Sequence, residues 1–132
     1  MKIAIDFDGT CVEHKFPYIG EELHGAVETL KWLVEEGHEL ILWTCREDVP
    51  GDPERAYLTN AVNWFKEHQI PLIGINSTPD QYEFRPADSH RRKVVADLYI
   101  DDKNLGGFSG WAVVFDELEG EGPDAKFETG YK

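Results

Sequence analysis

Two aspartates separated by one residue, Asp6 and Asp8, stand at the end of the apolar run Ile3-Ala4-Ile5 and are followed by Gly9 and Thr10. Carboxylates at the exit of a buried strand are placed to act as nucleophile, proton carrier or cation ligand. A run such as Ile3-Ala4-Ile5 reads as a parallel strand covered on both faces, and open α/β sheets hold their ligands at the carboxyl ends of such strands. Asp-Gly alone is also a common surface turn, so the rest of the chain has to decide. Two further strand-like runs end in the same kind of chemistry. Leu40-Ile41-Leu42-Trp43 leads into Thr44-Cys45-Arg46, and Tyr99-Ile100 leads into Asp101-Asp102-Lys103-Asn104. If the strands are parallel, Asp6, Asp8, Thr44, Asp101 and Asp102 meet at one sheet edge. Four carboxylates at close range do not all ionise without a compensating cation. An oxygen-rich set with no spaced Cys or His ligands selects Mg²⁺ over zinc.

The elements that must position these groups alternate between strand and helix patterns, which predicts α/β architecture around a mainly parallel central sheet. Strands are expected at about Ile3–Asp6, His38–Thr44, Leu72–Ile75 and Asp97–Ile100. Ala26, Val27, Leu30, Leu33 and Val34 fall at helical spacing, and Gly37 stops that helix. A second helix is expected to begin at Pro53, capped by Asp52, and to bury Tyr57, Leu58, Ala61, Val62, Trp64 and Phe65. A brief helix is expected at about His90–Ala96. The pattern of Trp111–Leu118 suits helix and strand equally. The segment Cys11–Glu22 reads as a loop or small hairpin flap and 76–89 as a loop, and the Gly- and Glu-rich tail from Glu119 onward is expected to cover little. No repeat or long linker divides the chain, so residues 1–132 are read as one domain, with 118–132 as an acidic tail.

With 132 residues, 41% of them hydrophobic, the chain is large enough to close a core. Its net charge of -13 repels nucleic acid, which is therefore disfavoured as a partner, and makes phosphate chemistry dependent on a cation. No stretch approaches the roughly 20 apolar residues of a membrane span. There is no signal-like start, and two cysteines, Cys11 and Cys45, are too few for a disulfide scaffold; together these point to the cytoplasm. The five histidines show no ligand spacing, and most are expected at the surface or in caps, with His90 beside a basic cluster. Trp32, Trp43 and Trp64 fall on core faces.

Asp6-Phe7-Asp8-Gly9-Thr10, Thr44, the basic cluster Arg91-Arg92-Lys93 and Asp101-Asp102 resemble, in order, the four motifs of the haloacid dehalogenase (HAD) superfamily. The resemblance spans Ile3 to about Asn104 and implies a Rossmann-like three-layer sandwich. It implies Asp6 as nucleophile, Asp8 as general acid and then base, and Thr44 as a hydrogen-bond partner of the transferring phosphoryl group. It also implies a lysine or arginine as charge neutraliser, with Lys93 favoured over Arg91 and Arg92. Mg²⁺ would be held by Asp6, the Asp8 backbone carbonyl, Asp101 and Asp102. Gly9, Thr10, Cys45 and Arg46, beside these motifs, are the candidate substrate contacts. The intervals 9–40 and 44–91 are too sparse in elements for a cap domain, so the resemblance is to the compact capless branch. Within the family it resembles, an aspartate at the position of Asp8 implies a phosphatase or phosphomutase in preference to a transport ATPase or dehalogenase, and the phosphatase reading is favoured.

The function expected is therefore Mg²⁺-dependent hydrolysis of a phosphomonoester, small or macromolecular, through an aspartyl-phosphate on Asp6. The alternative is a non-catalytic phospho-accepting or Mg²⁺/phosphate-binding module. Substrate identity and oligomeric state are left open. In an uncapped site, the flap 12–20 (Phe16, Pro17, Tyr18) and the loop 80–86 (Tyr82, Phe84) are the segments placed to select substrate.

Overall fold

The computed structural model describes residues 1–78 and 93–123. Its elements are β1 (Lys2–Ile5), α1 (Ala26–Glu35), β2 (Glu39–Leu42), α2 (Tyr57–Glu67), β3 (Gly74–Ile75), β4 (Leu98–Ile100) and α3 (Trp111–Leu118). All strand pairings are parallel, in the order β3-β2-β1-β4. This is an α/β sandwich of Rossmann-like order, with no cap domain among the described residues.

The order follows from the handedness of parallel crossovers. Two right-handed β-α-β steps in one direction, β1 to β2 to β3, put α1 and α2 on the same face. Ile3 and Ile5, paired in register with Leu40 and Leu42, point to that face and join Leu30, Leu33, Trp64 and Phe65 in the main core. Ala4, Ile41 and Tyr99 point the other way, where Val94 covers them. Val94 and Ala96, just ahead of β4, lie on that second face, and β4 pairs on the side of β1 away from β2. β1 is left as the switch point, with successive crossovers diverging on either side. Ligand crevices form at such points, outside the carboxyl ends.

Helix ends are fixed locally. At α1, Gly37 takes a left-handed φ of 90°, and the amides of Gly37 and His38 donate to the carbonyls of Val34 and Leu33. This closes the helix with a Schellman pattern. The expected helix from Pro53 is broken: Pro53–Arg55 forms a single 3₁₀ turn on the Asp52 cap, and α2 starts afresh after Ala56. Ala56 has no capping side chain. Asp48 does that work from outside the helix, its two carboxylate oxygens accepting from the Thr59 amide at 2.9 Å and the Thr59 hydroxyl at 2.5 Å. These bonds hold the Asp48 carboxyl below its ordinary range. A carboxylate with a lowered folded-state pKa stabilises above its ordinary pKa, and the stabilisation is lost as pH falls through the lowered value. Asp48→Asn should therefore lower Tm at neutral pH, and the gap from wild type should close on acidification. A Tm difference independent of pH would count against the cap.

Two further expectations are corrected. The helix expected at His90–Ala96 is not formed where it can be seen: residues 93–96 are non-helical, and residues 90–92 lie outside the described residues. The Tyr99 hydroxyl explains this, donating to the Val94 carbonyl at 2.6 Å while lying 3.3 Å from the Ala96 amide that donates to it. The tail is not wholly idle, since Pro123 packs against Gly37 and its carbonyl accepts from the Met1 amine. His38 is an exception to the surface and capping positions expected of most histidines: it is buried, with Nδ1 3.0 Å from the Met1 amine. Burial first, and then the neighbouring amine charge, lower its pKa. Trp111–Leu118 is a helix, burying Trp111, Val114 and Leu118.

Candidate active site

The carboxyl ends of β2, β1 and β4 lie side by side and open into a cavity of about 410 Å³. Asp6, Asp8, Thr44, Cys45, Arg46, Asp101 and Asp102 line it, together with His14, Phe16 and Lys103. One carboxylate oxygen from each of Asp6, Asp101 and Asp102 lies within 4.8 Å of the others. β1 and β4 bring them together: Ile5 pairs with Ile100, and the Asp6 amide donates to the Ile100 carbonyl at 2.9 Å.

The electrostatic cost of this arrangement is visible at Asp6. Its carboxyl is pushed up to about 8, chiefly by burial and then by the charges of Asp101 and Asp102, against a lowering by the Phe7 backbone amide. Asp102 Oδ1 is buried and has no hydrogen-bond partner among the described residues. An unpartnered buried carboxylate oxygen costs free energy unless something meets it. A hard divalent cation with oxygen ligands fits this donor set.

The turn after β1 is built around these groups. Gly9 has a φ of 84°, and any Cβ added there would overlap Asp102 Oδ2 and Cγ. Gly9→Ala combines left-handed strain with that clash and must displace the Asp102 carboxylate. If the three carboxylates take a divalent cation, the substitution should weaken its binding by roughly tenfold or more, read by calorimetry; unchanged affinity would mean that Asp102 is not a ligand. Thr10 is fully buried, and its hydroxyl donates to Asp6 Oδ2 at 3.2 Å. Thr10 therefore orients the proposed nucleophile and does not line the cavity, unlike the substrate contact expected from the sequence. The Cys11 thiol donates to the Asp6 carbonyl at 3.3 Å, and burial raises its pKa well above normal.

At the end of β2, the Thr44 amide donates to Asn76 Oδ1 at 2.8 Å, while the Thr44 hydroxyl oxygen accepts from the Arg46 amide at 3.1 Å. The hydroxyl proton of Thr44 is available to the cavity. Cys45 is exposed on the rim, and both cysteines are free thiols. Arg46 departs most from expectation. It is only 2% exposed, and both oxygens of Asp8 are bound to it, Nε to Oδ2 at 2.7 Å and Nη2 to Oδ1 at 2.8 Å. A guanidinium so engaged is not a ready substrate contact. The Asp8 carboxylate, held by Arg46, is absent from the three converging oxygens, so any Asp8 contact to a cation falls to its backbone carbonyl.

Lys93 does not line the cavity. Its ammonium lies over the Tyr99 ring, 4.3 Å from the centroid, on the second face of the sheet. Arg91, Arg92 and His90 lie outside the described residues, as does the loop 80–86. Among the described residues the exposed cation on the cavity wall is Lys103, whose amide donates to Asp101 Oδ1 at 2.9 Å. Phe16 lines the cavity from the flap expected to select substrate, whereas Lys103 and His14 were not among the expected site residues. The position of Lys103 directly after an acidic pair at a strand end was the signal available for it.

No family model matches the sequence, and no curated protein matches it. A solved structure of a conserved protein from Bacteroides thetaiotaomicron is similar at a TM-score of 0.76 and 39% identity, over 90% of this chain and 89% of that one. The chain belongs to that protein's family. The family carries the fold: identity and structural similarity at this level extend over nearly the whole of both chains. It carries no activity, since that protein is described only as conserved. Among the described residues no helix is long and apolar enough to cross a membrane.

Proposed function

We propose that the protein is a HAD-type, Mg²⁺-dependent phosphomonoester hydrolase of the cytoplasm. The observation that carries this reading is the convergence of Asp6, Asp101 and Asp102 on one point at the switch-point end of β1 and β4, with Asp8 two residues along and Thr44 opposite. Asp6, Asp101 and Asp102 would hold Mg²⁺, which when bound neutralises phosphate and carboxylate charge and polarises the phosphoryl oxygens.

The chain's own residues supply the remainder. An Asp6 carboxylate oxygen attacks phosphorus and the bond to the ester oxygen breaks; Asp8, which must enter this step carrying a proton on a lone pair that Arg46 leaves open, gives it to that oxygen. Asp8 then takes a proton from the water that attacks the aspartyl-phosphate, which releases phosphate and returns Asp6. Thr10 keeps Asp6 in its orientation through the 3.2 Å hydrogen bond. The Thr44 hydroxyl donates to a phosphoryl oxygen, and Lys103 offers positive charge at the mouth. Attack requires Asp6 as the anion, which its neighbours oppose in the bare protein. The basic group and the divalent cation thus answer the same electrostatic need.

The test is phosphate release from p-nitrophenyl phosphate with and without Mg²⁺. Release that requires the cation and stops on chelation supports the reading. Cation binding without turnover across aryl, sugar and nucleotide phosphates would favour a phosphate-binding module instead.

A further inference from the structure

Arg46 is a cation sealed inside an acidic protein, and all its donors are spoken for. Nε and Nη2 hold the two oxygens of Asp8. Nη2 also donates to the Tyr18 carbonyl at 3.0 Å, and Nη1 donates to the carbonyls of Tyr57 at 3.2 Å and Pro17 at 3.5 Å. An arginine has five N–H donors, and these contacts use them all. The guanidinium carbon lies 5.2 Å from the centroid of Phe7 and 5.1 Å from that of Phe16, so aromatic rings pack against the charge. Phe16 in turn meets the Tyr57 ring edge-on at 5.2 Å.

These partners come from separate segments. Phe7 and Asp8 belong to the turn after β1, Phe16 to Tyr18 to the flap, and Tyr57 to the first turn of α2. The flap is otherwise lightly held: Phe16, Tyr18 and Ile19 are exposed. Its backbone is tied by the Glu13 amide to the Glu21 carbonyl and the Tyr18 amide to the Lys15 carbonyl.

We propose that Arg46 is a positioning residue, a clasp that fixes the Asp8 carboxylate and the flap 13–20 on one guanidinium so that proton transfer and flap position are coupled. The catalytic half of this rests on the phosphatase reading of Asp8. A carboxylate has about four lone-pair sites, and Arg46 takes two of them. Asp8 and Phe16 both line the cavity, so the remaining two are left for an oxygen that enters there. A leaving oxygen on the flap side of the cavity therefore meets an Asp8 whose rotation is fixed, and movement of the flap carries the Asp8 grip with it. Lysine does not replace this, because a single ammonium cannot hold both carboxylate oxygens in the planar fork.

Two measurements on the full-length chain test the clasp. The first is hydrogen exchange of peptides covering residues 13–20 in wild type, Asp8→Asn and Arg46→Lys. Asp8 is not part of the flap, yet its substitution should speed flap exchange by roughly tenfold or more, as should Arg46→Lys, with β1 and β2 unchanged. Flap exchange as in wild type in Asp8→Asn overturns the coupling, whatever the activity. The second is turnover of Arg46→Lys on an alkyl phosphate and on p-nitrophenyl phosphate. Alkyl leaving groups need the proton and the nitrophenolate does not, so kcat should fall by roughly 10²-fold on the first and by less than about tenfold on the second, with KM little changed. Equal losses on both substrates overturn the positioning role. Wild type inactive on both substrates sinks the phosphatase reading, and flap exchange then decides the clasp by itself.

Discussion

Asp6→Asn should abolish phosphate release, by on the order of 10⁵-fold or more, while leaving the protein folded. The amide matches the carboxylate in shape and can still accept from the Thr10 hydroxyl, but it is not a nucleophile and is a poor cation ligand. The same substitution should change stability in the opposite direction. The Asp6 carboxyl sits at about 8 against an ordinary 3.8. A carboxyl whose folded-state pKa is raised contributes stability that is present below its ordinary value and lost as pH rises through the raised one. Metal-free wild type should therefore weaken between those limits, whereas Asp6→Asn should not. With Asp6 partly open to water, the gain from the amide at neutral pH is about 1–2 kcal/mol. Added Mg²⁺ should close the gap by stabilising wild type alone. Urea denaturation with and without chelator reads both effects; a variant less stable than metal-free wild type at neutral pH would contradict the electrostatic account.

Trp111→Ala should cost about 3–5 kcal/mol, the largest stability loss expected of a single side chain here. The indole is 2% exposed, lies 5.3 Å from the Phe108 ring in a T-shaped contact, and joins α3 to the main core. Its Nε1–H donates to the Thr10 carbonyl at 2.8 Å in a buried position. Removal therefore leaves a cavity and an orphaned carbonyl in the residue whose hydroxyl orients Asp6. Trp111→Phe keeps most of the ring and should separate the two contributions, losing about 1–2 kcal/mol for the bond and smaller contacts. The midpoint of urea unfolding should shift without a change in slope. A cost below about 1 kcal/mol for Trp111→Ala would mean that α3 does not brace the turn.

The acidic edge of the sheet was legible because strand ends are written in short-range pattern. Apolar runs closing on Asp6, Thr44 and Asp101 identify themselves, and right-handed crossovers then bring them together. α3 resisted reading because Val113, Val114 and Phe115 favour strands, while the helical spacing of Trp111, Val114 and Leu118 competes with that preference. Lys93 was misplaced for a tertiary reason: the Tyr99 hydroxyl gathers the backbone around Val94 and Ala96, and the ammonium settles on the Tyr99 ring. Arg46 shows the same limit. Next to a phosphate motif an arginine suggests a substrate contact, yet its partners are Asp8, 38 residues away, and carbonyls of a flap with no regular structure. Nothing in local spacing announces that the cation is spent inside the protein.

The central claim is covalent: Asp6 carries the phosphoryl group. The direct measurement is the mass of the peptide Ile3–Lys15 from enzyme quenched in acid during turnover of an aryl phosphate with Mg²⁺. One added phosphoryl group on that peptide, localised to Asp6 after borohydride reduction and absent from Asp8→Asn-matched controls lacking substrate, is the predicted result. Turnover under the same conditions with phosphate released and Asp6 unmodified in both wild type and Asp8→Asn, where the second step is slowed, would contradict it.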